Sequence, residues 1–399
     1  MKIAEINTSN YGSTGKIMLG IADILRERGD KVLICYPATK KNLSKKVEGS
    51  YIIGNRIGRN LNILISKIFG CDDLLYRRAT RHLVRRLEEF GTQAIHLHNL
   101  HGWYLNVPIL FRYIKKNNIK VVWTLHDCWA ITGHCPHFDM IGCEKWKIEC
   151  SKCPQHREYP DSLVDNSSRM HLIKKSCFLG VLDMTIVTPS RWLAEVVKQS
   201  YLKGYRVTVI NNGIDLAVFK PCESNFRQRN NLQRKKIVLG VAFGWGKRKG
   251  LDVFIRLASD LDAKYKVVLV GTDEYVDKLL PENILSIHRT HTQSDLAKIY
   301  TAADVFVNPT REDNFPTVNM EALACGTPVI TFKTGGSPEV IDDTCGIVVE
   351  KDDYSNFINN IKETLSERPF LFENCVERAS LFSHEKMYEQ YQDILSTII

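Results

Sequence analysis

Two successive series of short β-type runs, each run followed by a segment of helical period, constrain the fold of this chain more than any other feature. In the first series the runs are Lys2 to Asn7, Lys31 to Tyr36, Ala94 to His98, Lys120 to His126 and Met184 to Thr188. Such alternation predicts parallel sheets with crossover helices, because parallel neighbours can be joined only by a connection long enough to traverse a sheet face. Ile17, Ile21, Ile24 and Leu25 share one face of a helix between the first two runs, and Gly29 can end it. The pattern restarts at Lys236 with Ile237 to Val241, Lys266 to Val270, Ile284 to His288, Val305 to Asn308 and Val329 to Phe332. Between the series, Pro221 to Lys235 is polar and reads as the boundary between the halves. At 399 residues the chain exceeds the length at which one core usually stops growing, so two domains are expected. The expected division is an N-terminal domain over 1–205 with a Cys-rich insertion at 128–160, a second domain over 206–380, and a C-terminal helix at 381–399 packing back on the first.

Composition excludes disorder: 44% hydrophobic and 25% charged residues are ordinary globular usage. The segment Met1 to Asn7 reads directly as a strand without the basic and apolar regions of a secretory leader, and no apolar run is long enough to span a bilayer. A cytoplasmic protein is expected, and its twelve cysteines read as reduced thiols or metal ligands. The net charge of +9 is not gathered into a block, and the motifs of nucleic-acid modules are missing. Anionic phosphates are the better partner: those of a nucleotide-sugar, a lipid-linked acceptor or a membrane surface.

Ligands of open parallel sheets bind beyond the carboxyl ends of strands, and chemically useful residues cluster there. Asn10 to Lys16 is a glycine-containing turn into a helix, suited to close approach of an anion at Gly15, though it serves equally as an ordinary turn. His126 and Asp127 end the fourth run, and Gly244 to Gly250 follows the first run of the second series. From Arg311 to Pro328 the chain reads Arg-Glu-Asp-Asn-Phe-Pro-Thr-Val-Asn-Met-Glu-Ala-Leu-Ala-Cys-Gly-Thr-Pro, which places carboxylates at a strand end and on the next helix, where they can accept hydrogen bonds from sugar hydroxyls.

This stretch resembles the acidic signature of retaining GT-B glycosyltransferases, especially glycosyltransferase family four, in which two glutamates flank seven residues. The resemblance extends through Asn212-Gly213-Ile214-Asp215, Arg248-Lys249-Gly250 and Gly335-Gly336-Ser337-Pro338-Glu339. It implies two Rossmann-like parallel-sheet domains facing a central cleft, and transfer of a sugar from a UDP- or GDP-linked donor to a glycan or lipid-linked glycan hydroxyl. Anomeric configuration would be retained, with no metal needed for chemistry, and polysaccharide or lipopolysaccharide assembly at the cell surface is the implied setting.

By the same resemblance Glu321 holds the ribose, Lys249 the diphosphate, and His126 lies beside the transferred sugar. Asp313 stands where the family has its first glutamate, a shorter carboxylate, with Glu312 one residue out of register as a second candidate. Asn314, Phe315, Gly336 and Glu339 belong to the donor-binding positions, with Gly15 and Asp127. The family's second diphosphate-binding cation is missing, since Phe243-Gly244-Trp245 occupies its region, and Arg248 is the substitute. A catalytically inactive nucleotide-sugar-binding protein and a GT-B sugar-nucleotide epimerase are the competing readings.

Cys135, Cys143, Cys150 and Cys153 form C-x7-C-x6-C-x2-C beside His134, His137 and His156. Four thiolates can enclose a structural Zn²⁺, and reduced thiols are an equal alternative. Residues Arg56 to Phe69 combine Arg56, Arg59 and Lys67 with Ile57, Leu61, Leu64, Ile65, Ile68 and Phe69. A basic amphipathic helix of this kind rests on an anionic membrane or buries its apolar face in a core.

Overall fold

The computed structural model describes residues 1–398. The chain forms two compact units: Met1–Ile210 completed by the segment from Tyr388 onward, and Asn211–Met387.

The first unit is built on a seven-stranded, all-parallel sheet: β1 (Lys2–Ile6), β2 (Lys31–Pro37), β3 (Tyr51–Ile53), β4 (Ala94–Leu97), β5 (Lys120–Thr124), β6 (Met184–Thr188) and β7 (Arg206–Val209). Their order is β3-β2-β1-β4-β5-β6-β7. The two edge strands are not among the expected runs: β3 has only three residues, and β7, Arg-Val-Thr-Val, alternates polar and apolar side chains with none of its positions fully buried. Side chains alternate across the sheet. Ala4, Ile6, Ile95, Leu97, Val121 and Trp123 enter one apolar core, whereas Glu5 and His96 point to the opposite face and are also fully buried.

Three helices of this unit shape its ligand end and its surface. α1 (Gly12–Glu27) buries Ile17, Met18, Ile21 and Leu25. α2 (Lys40–Ser44) is capped by Thr39, which accepts from the Asn42 N–H. α3 (Arg56–Phe69) is capped by Asn55 and ends at Gly70 in the left-handed region. α3 is inverted relative to an ordinary surface helix. Its inward side is polar: Asn62 donates to the Trp103 carbonyl at 2.7 Å, Arg59 donates to the Gly102 carbonyl, and Ser66 is buried. Ile57, Leu61, Leu64 and Phe69 face outward with exposures of 84%, 57%, 57% and 59%, so the stripe is not core.

The second unit carries a six-stranded parallel sheet in the order β10-β9-β8-β11-β12-β13. Its strands are β8 (Lys236–Val241), β9 (Tyr265–Val270), β10 (Ile284–Ile287), β11 (Val305–Asn308), β12 (Val329–Phe332) and β13 (Gly346–Val349). Both faces are covered, one core holding Leu239, Phe306 and Met320, the other Val238, Phe254 and Phe357. The polar segment Pro221–Lys235 lies inside this unit and does not divide the chain. Arg227 fastens it by donating to the carbonyls of Ala302 and Lys235 and pairing with Asp304 at 2.5 Å. Its few apolar residues also face the unit: Leu232 is buried in the core and Phe226 packs against it, so the polar composition reflects the remaining exposed positions.

Strand order reverses between β1 and β4 in the first sheet and between β8 and β11 in the second. At such a switch point the two flanking loops diverge and leave a crevice beyond the carboxyl ends of the strands. No helix among the described residues is long and apolar enough to cross a membrane.

Candidate active site

At the switch point of the second unit, the loop after β8 and the loop after β11 bring Lys249 and Asp313 together. Lys249 Nζ lies 2.5 Å from Asp313 Oδ2, although 64 residues separate them in sequence. Both are half-buried. The loops are tied through their backbones, the Arg311 N–H donating to the Arg248 carbonyl at 2.8 Å. Arg311 secures the arrangement with its side chain: its two Nη atoms meet Asp252 at 2.8 Å each, Nε meets Asp352 at 2.7 Å, and Nη1 also donates to the Lys247 carbonyl. Such a planar five-donor group suits a clamp between three segments.

A third loop, after β12, closes on the same point. The Gly336 N–H donates to the Asp313 carbonyl at 3.2 Å. Gly335 sits at φ +51° with the Asp313 carbonyl oxygen only 1.8 Å from where a Cβ would be, so a side chain there would push the loops apart. Glu339 lies in the short turn Ser337–Val340 of this loop. Glu321 is carried by the helix Thr317–Ala324, which is fastened to the end of β11 by a 2.8 Å bond from Asn308 to Asn319. The fully buried Tyr300 donates its hydroxyl to Glu321 Oε2 at 3.0 Å, and burial holds that hydroxyl protonated, well above the ordinary tyrosine range. Glu312 and Asn314 are buried beside Asp313. Phe315 differs from the others: its ring packs on Phe382 in the apolar core, which leaves only its backbone for a ligand.

In the first unit Gly15, in the first turns of α1, lies against the turn after β1. A Cβ there would stand 2.7 Å from the Asn10 carbonyl carbon, so the residue is needed for close packing whether or not an anion binds. Asp127 is held from both sides, Oδ2 accepting from His101 at 2.8 Å and Oδ1 from the Trp129 N–H at 2.9 Å. Burial would raise its pKa, but the charge and hydrogen bond of His101 outweigh that and bring it to about 2. His126 joins a buried polar chain. Its Nε2 lies 3.0 Å from His98 Nδ1, His98 Nε2 lies 3.0 Å from Glu5 Oε2, and Glu5 Oε1 lies 3.1 Å from His96 Nδ1. Burial lowers His96 and His98 to about 3 and His126 to about 4, and raises Glu5 above the ordinary carboxylate range. Glu5, His96 and His98 form the one trio of metal-type ligand atoms within 4.8 Å of one another among the described residues.

Sequence reasoning does not single out Tyr300, Arg311, Glu5, His96 or His98. A signal exists for the last three: His96-Leu97-His98 is an i, i+2 pair that must share one strand face, and Glu5 is the carboxylate in the strand that pairs with it.

Cys135, Cys143, Cys150 and Cys153 line one small cavity of about 20 Å³ together with Trp146 and His134. The Gly133 N–H donates to Cys150 Sγ at 3.2 Å. No three of these thiols approach one another as closely as the Glu5, His96 and His98 ligand atoms do.

Known proteins agree with this architecture. WcaC of Escherichia coli (strain K12), named for colanic acid biosynthesis as a glycosyl transferase, is 28% identical over 337 residues, covering 81% of this chain and 79% of that protein. Sucrose-phosphate synthase from Thermosynechococcus elongatus superposes with a TM-score of 0.72 at 18% identity, over 100% of this chain and 98% of its own. Anabaena Alr3699/HepE, solved in complex with UDP-glucose, superposes with a TM-score of 0.68 at 17% identity over 100% of both chains. These likenesses establish the GT-B fold. The description Glycosyl transferases group 1 matches residues 234–367, the sheet that carries Lys249, Asp313 and Glu321. The description Glycosyltransferase Family 4 matches residues 15–218, just over half the chain, and the protein belongs to glycosyltransferase family four.

Proposed function

We propose that this glycosyltransferase moves a sugar from a nucleoside-diphosphate donor to a hydroxyl of a glycan or lipid-linked glycan with retention at the anomeric carbon, in assembly of a cell-surface polysaccharide. The observation that carries the reading is the Lys249–Asp313 pair at the switch point of the second sheet. A half-buried ammonium there can neutralise the charge that develops on a departing diphosphate, and a carboxylate beside it can accept from hydroxyls of the sugar being transferred. Glu321, held by Tyr300, is assigned to the ribose, and Arg248 is the second cation at the phosphates. Glu312, Asn314, the Phe315 backbone, Gly336 and Glu339 complete the donor contacts. His126 addresses the transferred sugar, with Asp127 and Gly15 keeping its surroundings in place.

In the proposed reaction the bond from the anomeric carbon to the diphosphate oxygen breaks, and the acceptor oxygen bonds to the same face. The acceptor proton passes to the leaving phosphate. Lys249 and Arg248 supply the positive charge this requires. The UDP-glucose held by the Anabaena protein supports a UDP-linked donor, and the name of WcaC supports a polysaccharide product. The outward apolar stripe of α3 supports peripheral contact with an anionic bilayer on the cytoplasmic side, where a lipid-linked acceptor would be met.

Lys249→Ala and Glu321→Ala are each expected to lower turnover about a hundredfold or more, as loss of a transition-state contact does, while circular dichroism stays unchanged. The anomeric signal of the product by NMR reads retention. Wild-type rates in either variant, or an inverted product, would overturn the assignment.

A further inference from the structure

We propose that Cys135, Cys143, Cys150 and Cys153 hold one structural Zn²⁺ that staples the segment 132–166 to the first unit. The four side chains come from C-x7-C-x6-C-x2-C and line a single cavity of about 20 Å³. That is room for one water-sized atom, which needs about 10–15 Å³ on the same measure. Four thiolates around one such space are a ligand set that Zn²⁺ takes in closed structural sites. An ion enclosed in this way takes no part in sugar transfer.

The segment has little else to hold it. Between the short turn Trp129–Ile131 and the helix Ser167–Phe178, Lys145–Lys147 is the one regular element among the described residues. A loop of this length without secondary structure is uncommon in a compact unit. Phe138 and Trp146 stack at 4.8 Å and are buried, but Ile141, Ile148, Leu163 and Val164 are exposed. Yet the segment carries Tyr159, whose hydroxyl lies 2.9 Å from His101 Nδ1, and His101 in turn holds Asp127. A staple here therefore also steadies the loop beyond β5.

The surroundings are shaped to sulfur. The Gly133 N–H donates to Cys150 Sγ at 3.2 Å, and a Cβ on Gly133 would stand 2.1 Å from the Ser167 carbonyl oxygen and 2.9 Å from Cys150 Cβ, so only glycine lets this donor approach. The Gln155 backbone bonds the Cys153 sulfur. Hydrogen bonds of this kind orient metal ligands. Lys152, inside the C-x2-C pair, holds φ +45°, a left-handed backbone that a lysine keeps only where its surroundings impose it. Lys174 is buried and donates to the Trp129 and Thr132 carbonyls at 2.9 and 3.0 Å, and its charge acts on Cys150 and Cys135 as well as on Asp73 and Asp72. A buried ammonium so placed offsets part of the net negative charge of four thiolates around a divalent ion. Zn–S bonds of about 2.3 Å set tetrahedral sulfurs roughly 4 Å apart. No three of the four thiols stand within 4.8 Å of one another, although Cys135 and Cys153 already share a hydrogen bond. Binding thus draws the sulfurs inward by rotation about their Cα–Cβ bonds, with each thiol losing its proton to solvent as it ligates.

Full-length protein expressed in zinc-supplemented medium and purified without chelator should carry one zinc per chain by elemental mass spectrometry. Cobalt in its place should give the sulfur-to-cobalt charge-transfer band and the intense visible bands of a tetrahedral thiolate site, and organomercurial titration should release the zinc as the four thiols react. Metal-free protein, a disulfide between any two of these cysteines in the protein as isolated, or a cobalt spectrum without the charge-transfer band would overturn the site. Cys150→Ser with Cys153→Ser should lose the ion, and zinc retained by that variant would move it to the Glu5, His96 and His98 trio. Chelation of the wild-type protein should speed trypsin cleavage at Lys145, Lys147, Lys152 and Arg157 about tenfold as local opening becomes easier, with protection restored by added zinc. Cleavage indifferent to zinc would overturn the staple. Lys249→Ala should hold zinc as the wild type does whatever its activity, so failure of the donor-site reading and failure of the zinc site are read separately.

Discussion

Arg311 shows how a single side chain can govern a site without belonging to its chemistry. Its guanidinium joins the loop bearing Lys249 to Asp252 at the start of the next helix and to Asp352, while its own backbone leads into Asp313. Burial would raise the Asp252 pKa, but the hydrogen bonds and charge of Arg311 outweigh it and the net shift is downward. A carboxylate with a depressed folded pKa contributes stability above its unfolded pKa and loses it as pH falls through the folded one. Arg311→Met should therefore destabilise by about 1–2 kcal/mol at neutral pH, modest because both aspartates stay half exposed. The gap to wild type should close as pH drops below the ordinary aspartate range. Urea titrations at several pH values check this, and a gap that widened in acid would contradict it. The same variant should raise the donor KM, because the loop bearing Lys249 loses its anchor. Lys249 and Asp313 are singled out in the sequence by the family resemblance, each by its own motif and its place after a strand end, and nothing there says that they meet. The clamp is not singled out, since nothing in Arg311-Glu312-Asp313 says that Arg311 and Glu312 turn inward while Asp313 stays half-buried.

At the scale of elements, the series of β-type runs is enough to read two parallel sheets, because strands buried on both faces are continuous apolar words. The short edges β3 and β7 are unreadable for the converse reason. α3 marks a sharper limit: its periodicity defines an apolar stripe but not the direction it faces. Direction is set by Asn62 and Ser66 on the opposite side, which find partners or burial inside. Near the stripe, Leu43 of α2 shares an apolar depression with Ile57 and Arg56, and Lys40, Lys41, Lys45 and Lys46 around it are exposed. Apolar residues ringed by cations fit an anionic bilayer. The protein should float with phosphatidylglycerol-containing liposomes at low ionic strength and be released by salt. Leu61→Asp with Leu64→Asp should weaken binding by about a hundredfold or more, since each buried leucine contributes about 1.5–3 kcal/mol, with little effect on stability because both positions are exposed. Flotation equal to wild type would remove this assignment, and self-association lost in the same variant would assign the face to a second copy.

The order of the chain and the order of its folded units do not coincide, and this bears on how the whole molecule unfolds. Residues 211–387 form a unit from one continuous stretch, whereas the first unit needs the final turns of the last helix, His384–Ile398, which return to it after the second unit is complete. Tyr391, Ile394 and Leu395 are buried there, Tyr391 bonds Thr124 beneath it, and Arg28 donates to the Gln392 carbonyl. Gly20 on α1 admits this segment: a Cβ would lie 2.0 Å from the Tyr388 hydroxyl. Three buried side chains of this size correspond to roughly 5–9 kcal/mol of burial, comparable to the whole stability of a typical domain. A chain ending at Met387 should therefore lose cooperative folding of its first unit while the second persists. Calorimetry should resolve a surviving transition of the second unit, and limited trypsin digestion should leave a fragment beginning near Asn211. Gly20→Leu in the full-length chain should lower the first transition selectively by expelling the same segment. If truncation left a thermogram like that of the intact protein, the last helix would be an appendage, and the Tyr391–Thr124 bond would have no structural weight.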